Sequence, residues 1–229
     1  MPDQLADIVQ IKAALGPLSD ISATKKALDG ICFRMDAQGK ELFLNWLEGK
    51  VNGTLVLDNT AWRNYMVEDL SHRTGLAKKL SEIAVKQKDK VFQRNGQSHT
   101  EIFSIGAFPA YVGKPGGGYY NGYEMLHGAN MTVGGMQVKK GTLKAFFGPA
   151  PETYTVTFRE MDLEFNDITD PARTNLADGV AAVFFTKLAS ALNVGPPKDY
   201  VTTIRWRSDL EATVTVGRGN SVSVDWRRV

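Results

Sequence analysis

The pattern of apolar residues changes near residue 96, and this change constrains the fold more than any other feature of the sequence. Before it, apolar residues recur three and four positions apart, as in residues 40–48 and 62–70, which is the spacing of amphipathic helices. After it, apolar and polar residues alternate, as in residues 154–165, which is typical of half-buried strands. We therefore predict an α+β protein in which a helical N-terminal half packs with a mostly antiparallel, β-rich C-terminal half.

One helix is predicted to interrupt the strands of the second half. Asp170 precedes Pro171, and an acidic N-cap followed by proline at the first helical position is a strong start signal. Apolar residues then follow at helical spacing, at Leu176, Val180, Phe184 and Leu188. The predicted organisation is a helical region at residues 1–95 and a β-rich domain at residues 96–229.

Composition limits the classes of protein to which the chain can belong. The 229 residues carry a net charge of +2, so no nucleic-acid partner is predicted. The single cysteine, Cys32, lies between apolar neighbours; it is predicted to be a buried structural thiol and excludes a disulfide framework or a multi-cysteine zinc site. The sequence contains no dinucleotide-binding, P-loop, HExxH, GxSxG or CxxC motif.

The N-terminal residues lack a basic start followed by a long apolar run, so no secretory signal peptide is predicted. No stretch reaches the length and hydrophobicity of a membrane-spanning helix. The expectation is a protein that is made in the cytoplasm and that would need a route other than a signal peptide to leave it.

Among the three histidines, His127 is the candidate functional residue. Gly128 and Ala129 follow it directly, and small residues allow a ligand or another backbone to approach the imidazole. A structural role for His127 stays open. His72 and His99 lie in polar surroundings along the chain, and both are predicted to be solvated.

The second candidate is an acidic turn at the end of the long predicted strand, formed by Asp167 and Asp170. Two carboxylates three positions apart can bind a hard cation or activate water. The N–H groups of the following helix and Arg173 in its first turn suit an anion such as phosphate. The structural alternative is that Asp170 caps its helix and that Asp167 completes an Asx turn.

From His127 onward, the order of features resembles the activity domain of colicin M, a bacteriocin that hydrolyses lipid-linked peptidoglycan precursor. The features are Leu-His-Gly-Ala at residues 126–129, glycines at 134 and 135, Gly-Thr-Leu at 141–143, Asn-Asp-Ile-Thr-Asp at 166–170, a helix, and Pro-Lys-Asp-Tyr at 197–200. In that family the acidic turn is Asp, then Tyr, then Asp, followed by a His–Arg pair. Asp167 and Asp170 match the two aspartates, Thr169 replaces the tyrosine, and no His–Arg pair occurs around residues 175–177.

The resemblance implies an antibacterial toxin that hydrolyses a phosphoester of lipid II with the help of Mg²⁺. Asp167 and Asp170 would hold the metal, with Asp167 holding it or activating water, His127 would be the general acid or base, and Arg173 would stabilise phosphoryl charge.

Residues 123–166 are also similar to the C-terminal regions of secreted interbacterial effectors. The implied partners are a lipid-linked cell-envelope precursor, a cognate immunity protein and a component of a secretion apparatus. The implied place of action is the target-cell periplasm, with residues 1–95 serving for delivery or covering the activity domain at residues 96–229.

The alternative hypothesis is a non-enzymatic effector or binding module that acts on a partner protein or a membrane. Trp206 and Trp226, each next to arginines at the ends of predicted strands, are the residues expected to carry that function, because aromatic residues and arginine are enriched at interfaces.

Overall fold

The computed structural model describes residues 21–32, 37–68, 72–93, 98–110, 112, 134–147, 153–170 and 178–229. Six α-helices lie in these ranges: α1 (Ile21–Cys32), α2 (Ala37–Leu47), α3 (Thr60–Glu68), α4 (Arg73–Lys86), α5 (Lys88–Gln93) and α6 (Asp178–Ala191). Seven strands accompany them: β1 (Thr54–Leu57), β2 (His99–Ala110), β3 (Gly134–Phe147), β4 (Tyr154–Thr169), β5 (Tyr200–Arg207), β6 (Leu210–Val216) and β7 (Val222–Arg228). None of the helices in these ranges combines the length and hydropathy needed to cross a bilayer.

The predicted helical half packed against a β-rich half is wrong. The protein is sheet-rich, and strand β1 lies inside the half that was predicted to be helical. The helices are scattered: α1 and α2 contact α6, whereas α4 contacts β2, β6 and β7. The physical reason is that an apolar stripe predicts a helix but not the element that buries it.

The chain divides into two compact units. The first comprises the described residues of Met1–Val56, Val112–Val133 and Asp167–Thr203, and the second those of Leu57–Tyr111, Gly134–Asn166 and Ile204–Val229. Strands β1, β4 and β5 therefore have residues in both units. The predicted division of roles between residues 1–95 and 96–229 stays a prediction.

The strands form one sheet in the order β1-β5-β4-β3-β2, with β6 paired to β4 and β7 paired to β6. The pairs β2–β3, β3–β4, β4–β6 and β6–β7 are all antiparallel. The β3–β4 register shifts on both sides of Lys140, and Glu160 has a positive φ of 54°, as expected where a bulge interrupts a ladder.

In the second unit, one face of the sheet is buried by α4. Leu76, Leu80 and Ala84 of α4 are buried. The Tyr154 hydroxyl donates one bifurcated hydrogen bond to the carbonyls of Ala84 and Val85, both at 3.0 Å. This contact anchors β4 to the last turn of α4. It gives a partner to two carbonyls at the helix end, while the apolar face of the helix is buried.

In the first unit, helix α2 supplies four buried apolar side chains to the core. Leu42, Phe43, Trp46 and Leu47 are all at most 2% exposed. The Trp46 ring meets the Phe185 ring edge-on, with centroids 5.1 Å apart. Aromatic pairs in this geometry stabilise a core beyond the area that they bury.

The turn after α2 supports a stability prediction. Gly49 has φ +59°, and a Cβ at this position would lie 2.4 Å from the carbonyl oxygen of Pro196. We expect Gly49→Ala to lower the free energy of unfolding by about 1–2 kcal/mol, because alanine disfavours left-handed backbone and also meets a fixed atom. Gly53→Ala is the control, since Gly53 also has a positive φ, +91°, but nothing lies within 4 Å of its Cβ position. Equal losses for both variants in urea denaturation would show that the contact with Pro196 contributes nothing.

Candidate functional site

The end of strand β4 carries the two predicted aspartates. Asp167 is the third-last residue of β4, Asp170 follows the strand directly, and both are half-buried. His127 and Arg173 lie outside the described residues. The predicted helix start at Asp170 and Pro171 also lies partly outside them; among the described residues, α6 begins at Asp178.

The acidic turn has a local backbone contact. Asp167 Oδ1 accepts a hydrogen bond of 2.8 Å from the backbone N–H of Ile168. Ile168 itself is 51% exposed. The contact holds the Asp167 carboxylate beside its own backbone at a strand end that solvent reaches.

Thr169, between the two aspartates, belongs to a buried hydroxyl network. Its Oγ1 lies 2.6 Å from Oγ1 of Thr202, and both residues are 0% exposed. The neighbouring Tyr200 hydroxyl donates a 2.8 Å hydrogen bond to the carbonyl of Leu42. Burial raises the pKa of Tyr200, and hydrogen bonds with Thr169 and Thr202 lower it only in part, so the phenol stays a protonated donor. The network fixes the end of β4 to the start of β5.

The burial and hydrogen bonding of Thr169 are not indicated by its place in the sequence. Thr169 lies two positions after Asp167 and directly before Asp170. Here the side chain has no exposed surface and is hydrogen-bonded to Thr202. Thr169 therefore links the end of β4 to β5 and presents no side-chain surface to solvent.

The donor chemistry of the two aspartates fits Mg²⁺. This ion is commonly held by one or two carboxylates, with substrate phosphates and water completing its shell. In the part of the chain that the structure describes, no three His, Cys, Asp or Glu side chains group together in a way that could hold a metal. The carboxylates that this turn offers to a cation are those of Asp167 and Asp170.

A buried carboxylate two positions before Asn166 was missed by the sequence analysis. Glu164 is 6% exposed and accepts hydrogen bonds from Arg205 Nε at 2.7 Å and Asn166 Nδ2 at 3.1 Å. Lys139 Nζ lies 3.7 Å away. Burial raises the pKa of Glu164, but the bonds from Asn166 and Arg205 and the charge of Lys139 together outweigh burial, so the pKa lies below its usual value. Glu164 is therefore an ionised, buried carboxylate of the second unit at neutral pH.

The prediction that His72 and His99 are solvated is wrong. His72 is 3% and His99 is 5% exposed. The His72 ring packs against the Trp206 ring with centroids 5.6 Å apart, and His99 Nε2 lies 3.2 Å from Gln87 Oε1. Polar neighbours along the chain did not reveal either contact, because the partners that bury the rings lie on other elements.

The tryptophans predicted to carry a docking function are not both accessible. Trp206 is 5% exposed, which removes it as a contact residue. Trp226 is half-buried, and the Arg73 guanidinium lies 6.0 Å from the centroid of its ring, which is the outer limit of a cation–π contact.

Cys32 is buried as predicted, at 6% exposure, and burial raises the pKa of its thiol.

The candidate site is thus the pair of half-buried carboxylates at the end of β4, on either side of Thr169, which belongs to the hydroxyl network with Thr202 and Tyr200. The chain matches no protein-family model, no curated protein and no solved structure.

Proposed function

We propose that the chain is an antibacterial effector that hydrolyses a phosphoester of a lipid-linked peptidoglycan precursor, the substrate class of the colicin M family that it resembles. The observation that carries the proposal is the arrangement at the end of β4, where the half-buried Asp167 and Asp170 flank the fully buried Thr169. Carboxylates held in this way suit phosphoester hydrolysis because they can both bind a hard cation and accept a proton from water.

Rigidity of the strand end supports a catalytic role. A site on a strand is more precisely placed than a site on a loop, provided that neighbouring residues lock it. The Thr169–Thr202 contact of 2.6 Å and the Tyr200–Leu42 hydrogen bond of 2.8 Å provide that support. Both contacts hold the backbone that carries the two aspartates, and a fixed backbone favours catalysis because less freedom is lost when a substrate binds.

In the proposed reaction, a water oxygen bonds to phosphorus as the phosphorus–oxygen ester bond breaks. Asp167 accepts the proton that the water loses, and His127 donates a proton to the departing oxygen. Arg173 stabilises the charge on the phosphoryl oxygens. Asp167 and Asp170 would hold Mg²⁺, which when bound neutralises part of the phosphate charge.

The proposal also covers the biological setting. A lipid-linked envelope precursor is reached from the target-cell periplasm, so the protein would be made in the producer cytoplasm, secreted, and act there. A producing cell would need a cognate immunity protein, and export would involve a component of a secretion apparatus. Residues 1–95 would then serve for delivery or would cover the activity domain.

The test is expression in a bacterial host, with and without a periplasm-directing signal, of the wild-type chain and of Asp167→Asn. We expect loss of viability only from the periplasmic wild-type chain. Purified Asp167→Asn should hydrolyse lipid II about 100-fold more slowly or worse, as expected when a general base is removed, with an unchanged melting temperature. Asp162→Asn is the matched control, because Asp162 is an exposed aspartate on the same strand.

Two results would contradict the proposal. One is periplasmic killing that is indifferent to Asp167. The other is absence of lipid II hydrolysis by the folded wild-type chain in the presence of Mg²⁺.

A further inference from the structure

The sheet of the second unit has a face turned away from α4. Tyr154 and Phe158 of β4 are on the α4 side, where Tyr154 bonds to the helix and Phe158 is 0% exposed. Because successive side chains of a strand point to opposite faces, Thr157 and Arg159 point away from α4. We call this side the open face; the registers of β2, β3 and β4 place on it Ile102, Thr142, Lys144, Phe146, Thr157 and Arg159.

Glu211 is the buried carboxylate of the first charge cluster on the open face. It is 5% exposed and forms ion pairs with Arg159 and Arg227. The side chains of Arg159 and Arg227 are 53% and 70% exposed, respectively. One buried carboxylate thus holds two guanidinium groups at the surface.

Glu164 forms a second cluster of the same kind further along β4. Its neighbours Leu163 and Phe165 are buried in the core, so Glu164 points to the open face. It holds Arg205 at 2.7 Å and Lys139 at 3.7 Å, and both of these side chains are 55% exposed. Each cluster therefore combines one buried negative charge with two exposed positive charges.

Exposed acidic residues on the open face are largely offset by further cations. In the described chain they are Glu160, Asp162 and Asp225. Arg207 lies 3.4 Å from Glu160, and Lys140 is opposite Asp162 in the β3–β4 register. Among the exposed charges of the open face, cations therefore outnumber anions.

The open face also exposes apolar side chains among these cations. Ile102 is 69% and Phe146 is 36% exposed. Lys144, on the same strand as Phe146, is exposed and forms no ion pair with a described residue. Apolar side chains interleaved with cations are the combination by which peripheral proteins bind anionic membranes.

We propose that the open face binds the surface of an anionic bilayer. The guanidinium and ammonium groups contact phospholipid phosphates, while Ile102 and Phe146 enter the boundary between headgroups and acyl chains. A single-stranded nucleic acid fits less well, since bases need aromatic platforms and Phe146 is the one aromatic side chain among the described residues of this face. The proposal does not depend on hydrolysis at Asp167.

The test is co-sedimentation of the full chain with vesicles of phosphatidylcholine alone or of phosphatidylcholine mixed with phosphatidylglycerol. We expect binding only to the anionic vesicles, weakened by salt. Lys144→Glu should reduce the partition coefficient about 20-fold, since it removes one cation and adds one anion. Ile102→Ser should reduce it about fivefold, through loss of apolar burial. Lys78→Glu is the matched control, because Lys78 is exposed on α4 and should leave binding unchanged.

Three outcomes would overturn the proposal. They are equal binding to neutral and anionic vesicles, an effect of Lys78→Glu as large as that of Lys144→Glu, and tighter binding to an oligothymidylate that is indifferent to Ile102→Ser. Because vesicle binding requires no turnover, its failure is distinguishable from failure of the hydrolysis assay.

Discussion

Replacement of Trp46 by alanine is expected to lower the free energy of unfolding by about 3–5 kcal/mol. Trp46 is 1% exposed, packs edge-on against Phe185 at 5.1 Å, and donates a 2.9 Å hydrogen bond from Nε1 to Asp199 Oδ1. Alanine removes the ring contact, leaves a cavity and removes the donor. Urea denaturation followed by circular dichroism measures the loss, which is expected at an unchanged denaturant slope.

Two further variants separate the causes of that loss. Trp46→Phe keeps an aromatic ring beside Phe185 but cannot donate to Asp199, so it should cost less than half as much as Trp46→Ala. Trp226→Ala serves as the comparison for a half-buried tryptophan and should also cost less. A loss below about 1 kcal/mol for Trp46→Ala, the typical worth of one hydrogen bond, would contradict the described packing of α2.

The sequence indicates elements whose signal is local. Leu42, Phe43, Trp46 and Leu47 lie at helical spacing, and all four are buried on α2. In the same way, the alternation of Met161, Leu163 and Phe165 matches their burial on β4. Periodicity suffices to predict the buried face of these elements because that face must be apolar against any packing partner.

The sequence does not reveal which elements pack together. Strand β1 has four residues, too few for an alternation to stand out from a loop. The apolar stripe of α4 gives no sign that β2, β6 and β7 contact it. The predicted helical half was wrong for this reason, since a helix-forming pattern carries no information about the partner that buries it.

The same limit applies to the candidate site. The position of Asp167 and Asp170 near the end of a long strand follows from the β4 pattern, because the alternation stops there. The hydroxyl network does not follow from it, since Thr169 and Thr202 are 33 positions apart. Glu164 and Arg205 are separated by 41 positions. The sequence pattern therefore could not show whether Glu164 is an exposed polar residue of the strand or a buried one with an ion-pair partner.

Glu164→Ala is expected to lower the free energy of unfolding at pH 7 by about 2–3 kcal/mol. Hydrogen bonds to charged groups are worth about 1.5–3 kcal/mol, and the loss of Glu164 removes those from Arg205 and Asn166. It also leaves Arg205 near Lys139 without their shared counterion. The figure is below that for a fully buried pair, because both cations are 55% exposed and can regain water.

The pH dependence of this difference tests its electrostatic origin. Burial raises the pKa of Glu164, and the bonds from Asn166 and Arg205 with the charge of Lys139 bring it below the usual value. A carboxylate with a depressed folded pKa contributes its full stability above the unfolded pKa, about 4.3 for glutamate, and loses it as pH falls further toward the folded pKa. The difference in the free energy of unfolding between wild type and Glu164→Ala should therefore be constant from pH 7 to about pH 5. It should shrink below about pH 4.3. Asp162→Ala, at an exposed site on the same strand, should show a small gap at every pH. A Glu164→Ala gap that is unchanged at low pH would assign the loss to packing and would remove Glu164 as the anchor of its two cations.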